Sequence, residues 1–299
     1  MHNPLESRSE SAGLVAARTF FVPGIALNQD KACCRPFRFA TPRWLSFMIV
    51  FAAGCITGHA QWVQIADESF NYGAGSLTGQ NGGTGWGGAW THTYLSGASF
   101  NVSASGMSYS GLSTSGGSMV WGSGGNGISE NTRAVSLQNS GVVYLQFLCQ
   151  FGSSSGGGTP NIRLFNSGTL TGGVGGNGGT YGSTLSILDT SLQPASDGSS
   201  SSSASLSGLN LVITRIDYVN NNTKMWVNPD LSTFSYDTPG TADATYSGLA
   251  PAFDSLSIYS RSPGNVDELR ILAQPAPEPQ SISFFLMAAG ATLWGRRKR

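Results

Sequence analysis

Asp267 and Glu268 are adjacent acids, and two carboxylates are what hydrolysis of a glycosidic bond requires. That chemistry needs one acid and one carboxylate facing a common cleft at a defined separation. Consecutive residues of a strand project to opposite faces, so an extended segment would part the pair. The arrangement expected instead has one side chain capping or pairing near Arg270 and the other in solvent. His92, in Trp90-Thr91-His92-Thr93-Tyr94, is the single histidine between Gln61 and Ala273, and Cys149 is the single thiol there. One of each excludes a His/Cys metal cluster and leaves any Ser-His-Asp triad dependent on His92 alone. His92 is expected in a turn or at the surface, and Cys149 as a small buried apolar side chain. What remains is recognition. Trp86, Trp90, Tyr94 and Trp121 stand beside glycine-rich turns, where exposed aromatic faces would make platforms for sugar rings. The competing expectation is that they plug the core, because their large area stabilises most when buried. Loop carboxylates around Asp237 and Asp243 could take calcium, but no defined calcium loop is present and no cofactor is assigned.

Short strands must position these residues. Glycine makes up 41 of 299 residues and charged residues 11%, about twice and well under half of the usual shares. Low charge with abundant Gly, Ser, Thr and Asn favours strands joined by tight turns and disfavours helix interiors. Disorder is opposed by recurring apolar segments and by seven Trp and fifteen Phe. Alternation in 141–151 places Val143, Leu145, Phe147, Cys149 and Phe151 on one face. In 209–218, Leu209, Leu211, Ile213, Arg215 and Asp217 share one parity, while Val212, Thr214, Ile216 and Tyr218 share the other. Further strands are predicted at 99–110, 118–121, 131–137, 161–166, 184–189, 223–228, 255–260 and 266–272. Ten to twelve short strands without a long helix predict an all-β antiparallel β-sandwich. The low-complexity stretches 152–158, 171–180 and 198–205 are expected as mobile surface loops. Gly173-x-Gly175-x-x-Gly178 has dinucleotide-fingerprint spacing, but a strand-like segment follows it where an anion cradle needs a helix. From Gln61 to Ala273 there are twelve acidic and six basic side chains, a net charge of −6. A nucleic-acid partner is thereby disfavoured, and so is an anionic lipid surface.

The two ends differ in kind from this middle. Six bases (Arg8, Arg18, Lys31, Arg35, Arg38 and Arg43) precede an apolar run to Ile56, and Gly58-His59-Ala60 follows as a small-x-small site. Positive flank, apolar core and small residues make a secretory signal helix cut after Ala60, leaving Gln61 as the new terminus. The 42 residues before Arg43 exceed an ordinary leading segment and are read as a start assigned too far upstream. Ala52-Ala53-Gly54-Cys55 resembles a lipobox and offers lipidation at Cys55 as the alternative. At the other end, Pro277-Glu278-Pro279 is followed by the apolar run 281–295 and by Arg296, Arg297, Lys298 and Arg299. The prolines keep the motif extended. The apolar run would span roughly 22 Å as a helix, short of the ~30 Å hydrocarbon core, with the bases holding its end on the cytoplasmic side.

This tripartite tail resembles the PEP-CTERM sorting signal of Gram-negative envelope proteins. The resemblance implies that an exosortase recognises Pro277-Glu278-Pro279, after the secretion machinery and a transient stay in the inner membrane. Cleavage near the motif, and release or attachment at the cell surface or in the extracellular matrix beside exopolysaccharide, would follow. The domains are then 1–60 (upstream extension and signal), 61–273 (sandwich), 274–280 (proline-rich linker) and 281–299 (C-terminal hydrophobic transmembrane helix and basic tail).

A second resemblance concerns the sandwich. The block from Asp67 to Trp90, the segments 213–218 and 224–229, and the closing segment 266–271 are similar to LamG-like, concanavalin A-like jelly-roll domains found in such proteins. The likeness implies two packed antiparallel sheets of jelly-roll type. Relatives that hydrolyse β-glucans carry Glu-x-Asp-x-x-Glu on one strand, and this chain lacks it. The expected role is non-enzymatic, structural or interactive. A carbohydrate-binding module for exopolysaccharide is the main alternative, and a glycan hydrolase a further one.

Overall fold

A computed structural model describes residues 61–95, 100–121, 128–151, 160–176 and 184–274. The signal segment up to Ala60, Pro277-Glu278-Pro279 and the basic tail Arg296–Arg299 lie outside these residues, as does the stretch 152–158. Every regular element among the described residues is a strand. The first six are β1 (Val63–Glu68), β2 (Gly75–Ser76), β3 (Thr91–Leu95), β4 (Phe100–Ser103), β5 (Ser118–Trp121) and β6 (Ser129–Gln138). Then come β7 (Val142–Phe151), β8 (Asn161–Asn166), β9 (Thr169–Gly176), β10 (Thr184–Leu188) and β11 (Ser201–Ser205). The last are β12 (Asn210–Asp217), β13 (Asn222–Val227), β14 (Ala244–Ser247), β15 (Phe253–Ser260) and β16 (Gly264–Ala273).

They form two antiparallel sheets. One runs β14-β13-β12-β7-β16-β5-β4-β2, with β1 added beside β16, and the other runs β11-β10-β9-β8-β15-β6-β3. The chain changes sheet at each step from β5 to β8, and β15 and β16 enter the middle of opposite sheets. This is the all-β jelly-roll sandwich that the sequence predicts.

The alternation in β7 explains the layering. Val143, Leu145, Phe147, Cys149 and Phe151 all enter the core between the sheets. The other face of β7 sends Tyr144 and Leu148 into a second cluster with Leu211, Ile213 and Trp226 of β12 and β13. That cluster lies on the outer face of the nine-stranded sheet, under Trp62, Met107, Tyr109, Leu112, Leu231, Phe234 and Tyr236. A sheet covered on both faces needs apolar residues at both parities, as β7 and β12 have. Each fully buried Leu or Phe contributes about 1.5–3 kcal/mol.

β16 is irregular at its centre. Its first residues pair with β5 as far as Val266 opposite Met119, and from Leu269 onward it pairs with β1. Between these stretches the register against β7 slips, from Asp267 to Arg270, and Glu268 takes φ 49°. The bulge turns both acids inward, so the expectation that one faces solvent is corrected: both are fully buried. Asp267 accepts from the Met107 amide at 2.7 Å and from the Glu268 amide at 2.8 Å. Glu268 accepts from the Ser115 amide and pairs with Arg270. The two carboxylates thus clamp the 104–117 segment onto the sheet.

Three further expectations change. The strand expected over 99–110 ends at Ser103. The stretch 171–180 was expected as a loop, yet its first six residues belong to β9, and 201–205 forms β11. In β9 the backbone of β8 comes so close that a Cβ on Gly173 would lie 2.7 Å from the Ile162 carbonyl oxygen. Glycine there makes room for a neighbouring strand. No helix among the described residues is long and apolar enough to cross a membrane.

Candidate binding cleft

The catalytic candidates have structural partners. Burial pushes the Asp267 carboxyl up to about 7. The Met107 and Glu268 amides and Arg270 act in the opposite direction, while the Glu268 charge adds to the rise. With the Asp267 oxygens held by main-chain amides and Glu268 tied to Arg270, the pair serves the bulge. Cys149 is wholly buried in β7, and burial raises its thiol pKa, as befits a packing residue. His92 is half-buried on β3 opposite Asn131, with a buried Nε2 that lacks a hydrogen-bond partner.

Two of the four aromatics considered for a sugar platform are buried. Trp90 is 1% and Trp121 4% exposed, both within the core. Trp90 stacks on Phe70 with 6.2 Å between ring centroids and donates its indole N–H to Glu68 at 3.0 Å. Burial is therefore compatible with its polar atom, and the platform role is corrected for Trp90 and Trp121. Trp86 is half-buried, donates to the Asp67 carbonyl at 2.9 Å and carries the Arg133 guanidinium 5.1 Å from its ring centre. Tyr94 lies on β3, in the sheet opposite Trp121. The carboxylates weighed for calcium are also engaged. Asp237 accepts from the Trp62 indole at 2.9 Å and Asp243 from the Val227 amide at 2.8 Å. Among the described residues no three His, Cys, Asp or Glu side chains gather as a metal site would need.

A concavity does exist elsewhere, over β12 and β13. Their antiparallel register sets Ile213 opposite Trp226 and Arg215 opposite Lys224. After β13 the chain turns at Asn228, φ 56°. Asp230 then accepts from the Ser232 amide at 2.9 Å and its hydroxyl at 2.7 Å, fixing a turn that returns the chain over the sheet. The returning loop is pinned by Tyr236, whose hydroxyl donates to Gln146 at 2.6 Å and whose carbonyl accepts from Tyr144 at 2.8 Å. Burial pushes the Tyr144 hydroxyl up to about 12, so it remains a donor at neutral pH. Edge-on rings run from Trp226 to Phe234 (5.9 Å), Phe234 to Tyr236 (5.4 Å), Tyr236 to Tyr144 (4.9 Å) and Tyr144 to Trp62 (4.9 Å).

Between this loop and the sheet lie two adjoining clefts that share Trp226, Pro239 and Gly240. One, of about 240 Å³, is lined by Trp62, Val142, Arg215, Lys224, Tyr236, Asp237 and Gln274 as well. The other, of about 360 Å³, adds Asn228, Asp230, Thr233, Phe234, Thr241 and Asp243. The indole N–H of Trp226 is buried without a hydrogen-bond partner. Arg215 pairs with Asp217 at 2.8 Å. Aromatic surface beside hydroxyl, amide and charged groups suits a polyhydroxylated ligand, whose rings have apolar faces and polar edges. Sequence reasoning missed this site because its residues are scattered from 62 to 274. The one local signal was Lys224-Met225-Trp226, an alternating strand that sets a cation and an indole on one face.

No family model matches the chain, and no curated protein matches it. Among solved structures it is similar to a protein of unknown function from Shewanella oneidensis MR-1, at 12% identity and TM-score 0.40, covering 79% of this chain and 97% of that one. It is also similar to the carbohydrate recognition domain of Emp47p, at 10% identity and TM-score 0.37, covering 70% and 93%. The family GH16 endo-β-1,3(4)-glucanase SCLam is similar at 9% identity and TM-score 0.36, covering 71% and 91%.

Proposed function

We propose that this chain is an exported cell-envelope or extracellular-matrix protein whose sandwich binds carbohydrate without cleaving it, in the cleft over β12 and β13. The observation that carries the reading is the cleft itself, where the half-buried Trp62 and Tyr236 meet Arg215, Lys224, Asp237 and Gln274 beside the buried Trp226. The non-catalytic part is supported by the engagement of Asp267 and Glu268 in holding the 104–117 segment. Export is supported by the apolar run to Ile56 and the small-x-small site Gly58-His59-Ala60 after it, with Gln61 as the new terminus. Sorting by an exosortase is supported by Pro277-Glu278-Pro279, the apolar run and Arg296–Arg299 in that order, with the inner membrane as a transient station.

Trp62 and Trp226 make the cleft self-reporting. Titration of the full-length chain with neutral and acidic polysaccharides should give a saturable change in tryptophan fluorescence that Trp62→Ala diminishes. No saturable change with any polysaccharide would overturn the binding reading. Release of reducing ends that Asp267→Asn abolishes would overturn the non-enzymatic one. For sorting, mass spectrometry of the surface fraction should find a terminus near Pro279 and no peptide from 281–299, and an intact C-terminus there would refute it.

A further inference from the structure

The charge on the cleft floor carries that reading one step further. Between Gln61 and Ala273 the bases are few, and Arg133, Arg163, Arg215 and Arg270 each form an ion pair. The Lys224 side chain has neither an ion pair nor a hydrogen bond among the described residues, yet it lines the cleft. It stands directly across the strand pair from Arg215. Like charges at facing positions destabilise a sheet, and Asp217 balances only one of the two. The cleft lining thus sets two cations, Arg215 and Lys224, against one carboxylate, Asp237, in a domain of net charge −6. Of the acids on neighbouring segments, Asp237 shares this cleft and accepts the Trp62 indole N–H, while Asp230 and Asp243 line the adjoining one. Trp226, two residues along the same face from Lys224, keeps a buried indole N–H without a partner.

Resting on the carbohydrate reading of this same cleft, we propose that it selects anionic sugars. The acidic group of a carboxylated or sulfated sugar lies over Lys224, beside Arg215, with the sugar ring against the aromatic walls. Asp230 and Asp243 repel a second anion in the adjoining cleft, so neutral sugars flank the acidic one. A strand pair that tolerates facing cations gains its missing counter-charge from the ligand.

The experiment uses the full-length chain and three forms of one oligosaccharide. They are alternating glucuronate and neutral sugars, the same chain with every carboxyl methyl-esterified, and a neutral chain sulfated at one position per repeat. At least one anionic form is expected to bind at least tenfold more tightly than the ester, and whichever does names the group. That preference should weaken with added salt, vanish in Lys224→Gln and persist in Lys224→Arg. The thermal midpoint of Lys224→Gln should not fall, since a cross-strand repulsion is relieved. Equal affinity for ester and acids, or an acid preference that Lys224→Gln retains, overturns the inference and leaves carbohydrate binding standing. Failure to bind any form or any neutral glucan overturns both.

Discussion

Arg133 and Glu68 meet inside the sandwich with side chains 1% and 0% exposed. Glu68 ends β1 in one sheet and Arg133 lies on β6 in the other, so the pair ties the two layers together. Around it the 70–90 segment is organised. Glu68 accepts from the Phe70 amide at 2.7 Å, the Tyr72 hydroxyl at 2.6 Å and the Trp90 indole. Arg133 donates to the carbonyls of Gly82 at 2.7 Å and Gly88 at 2.8 Å. Such a pair withstands desolvation only when the remaining lone pairs and protons are satisfied, as here.

Glu68→Gln leaves the Arg133 guanidinium buried without its counter-ion. The expected loss is about 3–5 kcal/mol, read as a drop in the urea midpoint. Replacing both partners, with Gln at 68 and Met at 133, should recover part of it. A single variant that loses less than about 1 kcal/mol would mean that the pair is not buried in solution.

The Asp267 carboxyl supplies a pH dependence of unusual sign. Buried, it holds its proton up to about pH 7, whereas an unfolded aspartate releases it near ~4. Between those values the folded state binds more protons, so this group's stabilisation is fully present at acid pH and fades as pH rises toward 7. The wild-type thermal midpoint should therefore fall relative to that of Asp267→Asn between about pH 4 and pH 8. Parallel profiles for the two proteins would remove the effect.

Gly173 and Gly141 predict unequal costs for the same substitution. A Cβ at Gly173 meets the Ile162 carbonyl oxygen of the paired strand at 2.7 Å, while at Gly141, φ +67°, it meets nothing within 4 Å. Gly141→Ala should cost about 1–2 kcal/mol, the penalty of a left-handed backbone. Gly173→Ala should cost more, because β8 and β9 must part. Denaturation midpoints in the reverse order would contradict the strand assignment of 171–176.

Cys149 should be silent in the native state. Buried to 0% exposure, with its thiol pKa raised by that burial, it is neither accessible nor ionised at neutral pH. An aromatic disulfide reagent should leave it unmodified until denaturant is added. Rapid labelling of the native protein at Cys149 would show that β7 opens.

Much of the fold could be read from the sequence because apolar periodicity records burial directly. Val143 to Phe151 declared the face turned to the core, and the apolar residues at both parities of 210–217 proved to be covered on both sides once folded. β9 could not be read, because its glycines answer to the closeness of β8, which composition does not reveal. Nor could the fate of Trp90, whose burial depends on a carboxylate 22 residues earlier accepting its N–H. Asp267 and Glu268 misled because alternation assumes a regular strand, and a bulge with Glu268 at φ 49° cancels it. The cleft stayed hidden since the register of β12 against β13, which brings Arg215 to Lys224, exists only after folding.

Trp62 immediately precedes β1, Gln274 immediately follows β16, and both line the cleft. Val63 pairs with Ala273 beside them, so the polypeptide arrives and departs at that rim. A pull applied between Lys224 on β13 and Gln274 just past β16 would pass through the β13-β12, β12-β7 and β7-β16 ladders.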